Sequence, residues 1–172
     1  MADLVIATTG KVITTGAGTS GTIARRLAHL LCVTGTPALY QNPGDGLHGS
    51  LGVAAEGDVV IAICKGGETA ELSEFVSRTK ERGALAVVLT AKPESSLAHL
   101  ADEVVTIDSS GADPSGIIAM GSTLATAAWG DALAMLVMSA RSYSWEQVLH
   151  SHPGGAVGKN AGSLLRGVDG SA

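Results

Sequence analysis

Aromatic residues and charges are scarce in this chain. Phe, Trp and Tyr together make up 3% of the 172 residues, and charged side chains make up 16%. The core must therefore be built from Val, Ile, Leu and Ala, which suits close packing of helices on a sheet. The net charge of −5 argues against a surface for nucleic acid or for an anionic membrane. A phosphorylated ligand remains compatible with this charge if local N–H and hydroxyl donors bind it.

The chain also has few cysteines and no uninterrupted apolar run of membrane-spanning length. Cys32 and Cys64 are too few for a disulfide framework, so we expect reduced thiols in a cytoplasmic protein. No secretory signal pattern is evident near the start. The longest apolar segment, 120–140, contains polar side chains such as Ser122 and Asp131. It therefore predicts a buried core helix and no membrane contact.

Apolar segments of strand length alternate with helical patterns along the chain. Strands are predicted at 11–15, 37–41, 58–64, 84–90 and 103–107, and helices at 20–33, 69–82, 96–101, 118–140 and 144–149. This alternation predicts a parallel sheet covered by helices on both faces, which is a three-layer αβα sandwich of the flavodoxin-like type. Few residues precede the first strand, which leaves little room for a helix there. We expect one domain over 1–160, followed by a mobile tail over 161–172.

Two glycine loops are the strongest functional signal, because each follows a strand and opens a helix. The first is Gly16-Ala17-Gly18-Thr19-Ser20-Gly21, and the second is Cys64-Lys65-Gly66-Gly67-Glu68-Thr69. Glycine allows a sharp turn and close approach to an anion, while the following helix supplies free N–H donors and a positive dipole end. The carboxyl ends of parallel strands meet at one edge of a sheet. The loops therefore predict one site for a phosphorylated or carboxylated ligand.

Hydroxyl side chains at the helix starts complete the predicted phosphate site. Ser20 follows the first loop, Thr69 follows the second, and Ser122 and Thr123 open the long helix. A dianionic phosphate needs several directed donors, and three helix starts would provide them. The alternative is that these residues are ordinary helix caps.

Acid and base candidates lie near the same predicted edge. Glu71 lies in the first turn after the second glycine loop, although charges in a first turn are also common helix stabilisers. His48 lies in a glycine-rich loop, and His150 and His152 flank Ser151 before another glycine-rich segment. Histidines in such loops are credible acid–base groups. No Cys, Asp or Glu spacing supports a metal site with these histidines, so no metal is predicted.

The first loop also fits the dinucleotide pattern G-x-G-x-x-G through Gly16, Gly18 and Gly21. That fingerprint needs an acidic residue at the end of the second strand to bind the ribose, and no acid occurs there before Asp45. A nicotinamide-binding oxidoreductase is therefore disfavoured. No Gly-Lys-Ser/Thr follows the loop, so a P-loop is excluded as well.

The sequence resembles the sugar isomerase (SIS) domain family and, within it, the arabinose 5-phosphate isomerases. The matching stretches are GAGTSG, HGSLG, GGETAE, AKPESSLAHLADEVV, GSTLATAAWGDALA and SHPGGAVG. The resemblance implies a five-stranded parallel sheet, a homotetramer built as a dimer of dimers, and aldose–ketose interconversion of a phosphorylated sugar. The most specific expectation is conversion of D-arabinose 5-phosphate to D-ribulose 5-phosphate through an enediol, without a cofactor. Many full-length relatives carry a CBS pair after the glycine-rich segment, which this sequence lacks.

The family's functional residues carry over only in part. Its glutamate matches Glu71 and its two histidines match His48 and His152. Its first-loop lysine is replaced by Thr19, and the acid before the long helix falls on Gly111, with Asp113 nearby. The serines of its second loop are replaced by Cys64 and Gly66, and Lys65 between them could restore the lost charge.

We therefore predict that Glu71 is the enediol base, that His152 assists ring opening across a subunit boundary, and that His48 positions substrate hydroxyls. The predicted phosphate-binding residues are Ser20, Thr19, Lys65, Gly67, Thr69, Ser122 and Thr123. The substitutions at Thr19, Gly66 and Gly111 keep a second hypothesis open, in which the protein binds a phosphosugar as a sensor without converting it.

Overall fold

A computed structural model describes residues 1–109 and 111–169, along which strands and helices alternate. The strands in these residues are β1 (Val12–Thr15), β2 (Ala38–Tyr40), β3 (Val59–Ile63), β4 (Leu85–Thr90) and β5 (Glu103–Thr106). The helices are α1 (Ala2–Ala7), α2 (Gly18–Val33), α3 (Pro43–Leu47), α4 (Ala70–Glu81), α5 (Ser96–Leu100), α6 (Gly121–Ala140), α7 (Trp145–His150), α8 (Gly155–Lys159) and α9 (Ala161–Asp169). Short 3₁₀ turns cover Ser50–Val53 and Pro114–Gly116.

The five strands form one parallel sheet in the order β2-β1-β3-β4-β5. In this order β1 pairs with both β2 and β3, so the direction of chain progression reverses at β1. Every residue of β3 is buried, as its continuous run of Val, Ile and Ala predicts for a strand covered on both faces. The predicted flavodoxin-like parallel sheet is confirmed.

Helices cover both faces of the sheet, and the alternation of side chains along β3 divides the core in two. Ile61 and Ile63 pack with α1, α2 and α6, for example against Leu31. Val60 and Ala62 point the other way and pack with α4 and α5. This two-residue period is the geometry of a strand. The predicted three-layer αβα sandwich is therefore confirmed.

The only phenylalanine of the sequence, Phe75, joins α4 to α3. Its side chain is fully buried, and a Cβ on Gly46 of α3 would lie 2.5 Å from its ring. Glycine at 46 therefore lets the two helices approach closely. This contact fixes the short helix that precedes His48.

Helix α6 differs from the sequence prediction of a buried core helix. It is 20 residues long and apolar enough to cross a membrane by length and composition, but only 28% of its most apolar stretch is buried. One side, including Leu133 and Val137, packs in the core beside α2, while Leu124 is 73% exposed and Leu136 60% exposed on the other side. Composition did not distinguish these two apolar faces, so the prediction was wrong for the outer one.

The two ends of the described chain contain helices that the sequence prediction lacks. Helix α1 forms because Val5 is fully buried in the core and the terminal amine pairs with Glu103 at 2.7 Å. In the segment expected to be a mobile tail, residues Ala161–Asp169 form α9, and residues 170–172 lie outside the described residues. Helix α9 packs against α7 and α8, so these three short helices support one another.

Candidate functional site

A cleft opens at the carboxyl ends of β3, β4 and β5, between the start of α2 and the start of α6. Its enclosed volume is about 30 Å³, and the space including its open mouth is about 400 Å³. Its floor is apolar and consists of Ile23, Ile63, Leu89 and Ile107. Its polar lining consists of Ser20, Lys65, Thr90, Ser109, Ser122, Thr123 and Thr126. An apolar floor with a few converging polar groups is the usual form of a small-molecule site.

Four of the seven predicted phosphate-binding residues meet in this cleft: Ser20, Lys65, Ser122 and Thr123. The Ser122 side chain is buried, and its hydroxyl makes no hydrogen bond of ordinary geometry among the described residues, although it lies close enough to the Asp113 carboxylate to help lower the pKa of that group. The Thr123 hydroxyl instead donates to the Met120 carbonyl at 2.7 Å. Ser122 is therefore the hydroxyl most in need of a ligand acceptor, because a buried hydroxyl without a partner is costly.

The N-terminus of α2 presents backbone donors beside Ser20. Its N-cap is Ala17, whose side chain cannot accept a hydrogen bond, so none satisfies the first-turn N–H groups. Gly18 has a φ of +54°, a left-handed conformation that favours glycine. Thr19, the replacement for the family's lysine, is exposed and does not line the cleft. Backbone N–H groups and Ser20 are therefore what this loop offers to an anion.

Lys65 enters the cleft from the second glycine loop but is paired with an acid. Its Nζ lies 2.5 Å from Oδ2 of Asp113, whose side chain is only 2% exposed. The other oxygen of Asp113 accepts N–H groups from Met120 at 2.8 Å and Ser122 at 2.9 Å. Lys65, the nearby Ser122 hydroxyl and these amides hold the pKa of Asp113 well below its usual range. The Lys65 charge is thus already neutralised.

The remaining residues of the second loop have other surroundings. Gly67 is buried, has a φ of +70°, and leaves no room for a Cβ, which would lie 1.9 Å from Ser95 Oγ. Thr69 is the N-cap of α4, but its hydroxyl contacts the Cys64 sulfur at 3.4 Å and makes no capping hydrogen bond. Neither residue lines the cleft, so the structure does not bring Gly67 and Thr69 together with the other predicted phosphate donors.

Glu71 and His48 lie on the opposite side of the sheet from α2 and α6. Glu71 is exposed in the first turn of α4, and His48 is exposed at the end of α3. Both helices belong to the layer that covers the second face of the sheet. The structure places them at the carboxyl edge of the strands, as predicted, but outside the lining of the cleft.

His152 lies away from the cleft, beyond the far end of α6. This helix has 20 residues and is about 30 Å long. At its end Arg141 donates to the Val5 carbonyl and to the Thr36 hydroxyl, both of which precede strands and so mark the amino edge of the sheet. The segment with α7 and His152 continues from there. Within one chain, therefore, His152 does not join the polar groups of the cleft.

The ring of His152 is nevertheless oriented. Its Nδ1 lies 2.6 Å from the Val148 carbonyl. A carbonyl can only accept, so Nδ1 carries a hydrogen, and in the neutral ring Nε2 has the free lone pair. This fixes which nitrogen can exchange a proton with a substrate.

The SIS domain family matches residues 5–136 of this chain. That span is more than half of the sequence and contains the whole sheet. The chain belongs to the SIS domain family. Arabinose 5-phosphate isomerase KdsD of Escherichia coli K12 is 40% identical over 158 residues, which are 91% of this chain and 48% of the relative. Arabinose 5-phosphate isomerase GutQ of Salmonella typhi is 39% identical, covering 98% of this chain and 54% of the relative.

Solved structures agree with this assignment. The E. coli CFT073 protein c3406, solved in complex with arabinose 5-phosphate, has a TM-score of 0.84 and 34% identity, covering 88% of this chain and 81% of that one. A Listeria monocytogenes structure has a TM-score of 0.85 and 35% identity, covering 89% and 81%. The SIS domain thus spans most of these solved chains but only about half the length of the curated relatives it matches.

Sequence analysis missed part of the cleft in this SIS domain. Thr90 and Thr126 line it, although their hydroxyls donate to the carbonyls of Lys65 and Ser122. The position of Thr90 at the carboxyl end of β4 was the available signal. Within the described ranges, no three His, Cys, Asp or Glu side chains are grouped as metal ligands would be.

Proposed function

We propose that this SIS domain is an aldose–ketose isomerase that converts D-arabinose 5-phosphate to D-ribulose 5-phosphate. The observation that carries the proposal is the likeness to the sugar-phosphate-bound protein c3406, because the match spans 81% of that chain at 34% identity. Two curated arabinose 5-phosphate isomerases, at 40% and 39% identity, support the same substrate. We also propose a cytoplasmic location, as expected for a chain with only two cysteines and no disulfide framework.

The chemistry requires an anion site for the phosphate and a base for the C1 and C2 protons. We assign phosphate binding to the cleft, where Ser20, Ser122 and the open N-terminus of α2 offer hydroxyl and N–H donors. Glu71 is the proposed base, since one carboxylate that reaches both carbons can move the proton through a cis-enediol. His48 is proposed to position substrate hydroxyls.

The test is proton NMR in deuterium oxide with arabinose 5-phosphate and a panel of other aldose and ketose phosphates. Turnover through an enediol brings solvent deuterium to the carbon next to the carbonyl. A general base contributes about 10²–10⁴-fold, so Glu71→Gln should lose exchange by that factor and keep its phosphate affinity. Glu74→Gln is the matched control, because Glu74 is an exposed glutamate on the same helix, paired with Arg78. Equal exchange in Glu71→Gln and wild type would place the base elsewhere.

We further propose a homotetramer in which His152 completes the site of a neighbouring subunit. An oligomer is supported by exposed apolar side chains at and before α6, including Ile117 at 84% and Leu124 at 73% exposure. A shared site is supported by the position of His152 beyond the end of α6 that is remote from the cleft. Light scattering that gives a monomer with full activity would contradict both parts.

Mixing two inactive variants tests whether the site is shared. Glu71→Gln keeps His152, and His152→Ala keeps Glu71, so a mixed pair of subunits regains one complete site only if the two residues come from different chains. Random mixing should then restore about a quarter of wild-type activity, whereas same-chain sites should restore none. His150→Ala is the control for the segment, since His150 is an exposed neighbour.

A phosphosugar sensor is the second candidate function. It is favoured by one observation, the pairing of Lys65 with Asp113, which leaves no free cation in the described lining of the cleft. Binding of arabinose 5-phosphate without deuterium exchange, for every sugar phosphate of the panel, would favour the sensor over the isomerase.

A further inference from the structure

Helices α2, α4 and α6 start at the carboxyl edge of the sheet, and the start of α6 is already occupied by an anion. The N-caps of α2 and α4, Ala17 and Thr69, make no side-chain capping hydrogen bond. The N-terminus of α6 is covered by the preceding loop instead. Oδ1 of Asp113 accepts the Met120 and Ser122 N–H groups, and the Ala112 carbonyl accepts that of Gly121 at 3.2 Å.

The carboxylate of Asp113 therefore uses the donors that a phosphate would use at this helix. It accepts two backbone N–H groups and one lysine ammonium, and its side chain is 2% exposed. Phosphate groups bind helix N-termini through the same kind of donors. While Asp113 is in place, the pair with Lys65 has no net charge to attract a dianion.

A second, independent observation points to a ligand at this place. Ser122 is only 6% exposed, lines the cleft, and has a hydroxyl that makes no hydrogen bond among the described residues. Asp113 accepts the backbone N–H of Ser122 at 2.9 Å, whereas the Ser122 hydroxyl approaches the carboxylate without a hydrogen bond of ordinary geometry. A tetrahedral phosphate offers more acceptor oxygens than a carboxylate and could accept from the amide and the hydroxyl together.

We propose that Asp113 is an internal competitor of the ligand phosphate for Lys65 and the N-terminus of α6. The ligand phosphate displaces the carboxylate, and Lys65 then pairs with the phosphate. Asp113 thus favours a phosphate dianion over an anion with one charge and few acceptors, because the dianion gains more from Lys65 and the helix donors. The inference rests on the phosphate site of the proposed function but not on turnover.

Binding of inorganic phosphate, measured by calorimetry, tests this competition. Asp113→Asn keeps an oxygen that can accept the Met120 and Ser122 N–H groups but removes the competing charge. We expect its dissociation constant for phosphate to fall about tenfold, as removal of one nearby like charge implies. Asp102→Asn is the matched control, because Asp102 also pairs with a lysine, Lys80, and accepts a backbone N–H, from Ala86. Its affinity should stay within about twofold of wild type.

Hydrogen exchange of the wild-type protein gives a test that needs no variant. Saturating phosphate should speed amide exchange in 111–119, as the loop leaves α6, and slow it in 121–124. Weaker or unchanged phosphate binding by Asp113→Asn, or slower exchange in both segments, would overturn the competition and make Asp113 a positioning residue for Lys65. If neither wild type nor Asp113→Asn binds phosphate, the phosphate site itself fails. Tighter binding by Asp113→Asn without any isomerisation would sink only the proposed function.

Discussion

Replacing Gly67 by alanine tests whether close packing against Ser95 requires a glycine in the second glycine loop. Gly67 is buried with a φ of +70°, and a Cβ there would lie 1.9 Å from Ser95 Oγ and 2.3 Å from Ser95 Cβ. A left-handed conformation costs an L-residue roughly 1–2 kcal/mol. Overpacking a filled site adds roughly 1–3 kcal/mol.

These costs are partly offset by the smaller entropy of the unfolded chain, about 0.4–1 kcal/mol for Gly→Ala. We therefore expect Gly67→Ala to lower the free energy of unfolding by about 2–4 kcal/mol. For a domain of this size that lowers Tm by roughly 5–15 °C. Chemical denaturation and calorimetry measure both quantities.

Gly66→Ala is the matched control, because a Cβ on Gly66 meets nothing within 4 Å and its φ is not in the left-handed region. Its stability should stay within about 1 kcal/mol of wild type. Adding Ser95→Gly to Gly67→Ala removes the clash and should recover about 1–3 kcal/mol of the loss. The Ser95 hydroxyl is buried without a hydrogen bond among the described residues, so its removal breaks none there. Equal stability of Gly67→Ala and Gly66→Ala would refute the reasoning.

Four further outcomes are expected. Phe75→Ala should lower the free energy of unfolding by about 3–5 kcal/mol in urea titrations, because Phe75 is fully buried between α4 and α3. Ser122→Ala should raise KM for arabinose 5-phosphate more than it lowers kcat, since phosphate is bound alike in ground and transition states. Stability should fall as the pH drops below about 4, because the pKa of Asp113 is lowered in the folded state and its contribution is present only above the unfolded value; Asp113→Asn should flatten this fall. Leu124→Glu should shift the oligomer toward smaller species in light scattering without unfolding the chain, because Leu124 is exposed.

The sheet could be predicted from the sequence because its signal is strong and local. Continuous apolar runs such as β3 have few alternatives to a buried strand, and helices between such strands enforce parallel pairing. Helix α3 was missed, because Pro43, Gly44 and Gly46 predict a loop. The signals for a helix start were present there: Asn42 accepts the Asp45 N–H with its side chain, and Pro43 occupies the first turn. Packing of Gly46 against Phe75 decides the outcome, and no local pattern contains that contact.

The candidate site divides in the same way. Motif spacing predicts which residues lie at the carboxyl edge of the sheet, and Ser20, Lys65, Ser122 and Thr123 do meet there. Spacing does not say which of the two helical layers carries a given residue. Glu71 follows β3 on the layer of α4, whereas the cleft lies on the layer of α2 and α6. This separation depends on the crossover of each helix and on the burial of its apolar face.

Lys65 illustrates how a count of charges differs from the charge that a ligand meets. The sequence loses the family's lysine at Thr19 and has a lysine at 65, so the number of cations near the loops is preserved. In the fold, however, the Lys65 Nζ lies 2.5 Å from a carboxylate that is 2% exposed. That carboxylate stays ionised far below neutral pH, because the lysine and two amides stabilise its charged form. A dianion can gain the Lys65 charge only by displacing Asp113. Lys65 therefore replaces the charge lost at Thr19 only when the ligand displaces Asp113. The affinity of Asp113→Asn for phosphate measures how much that displacement costs.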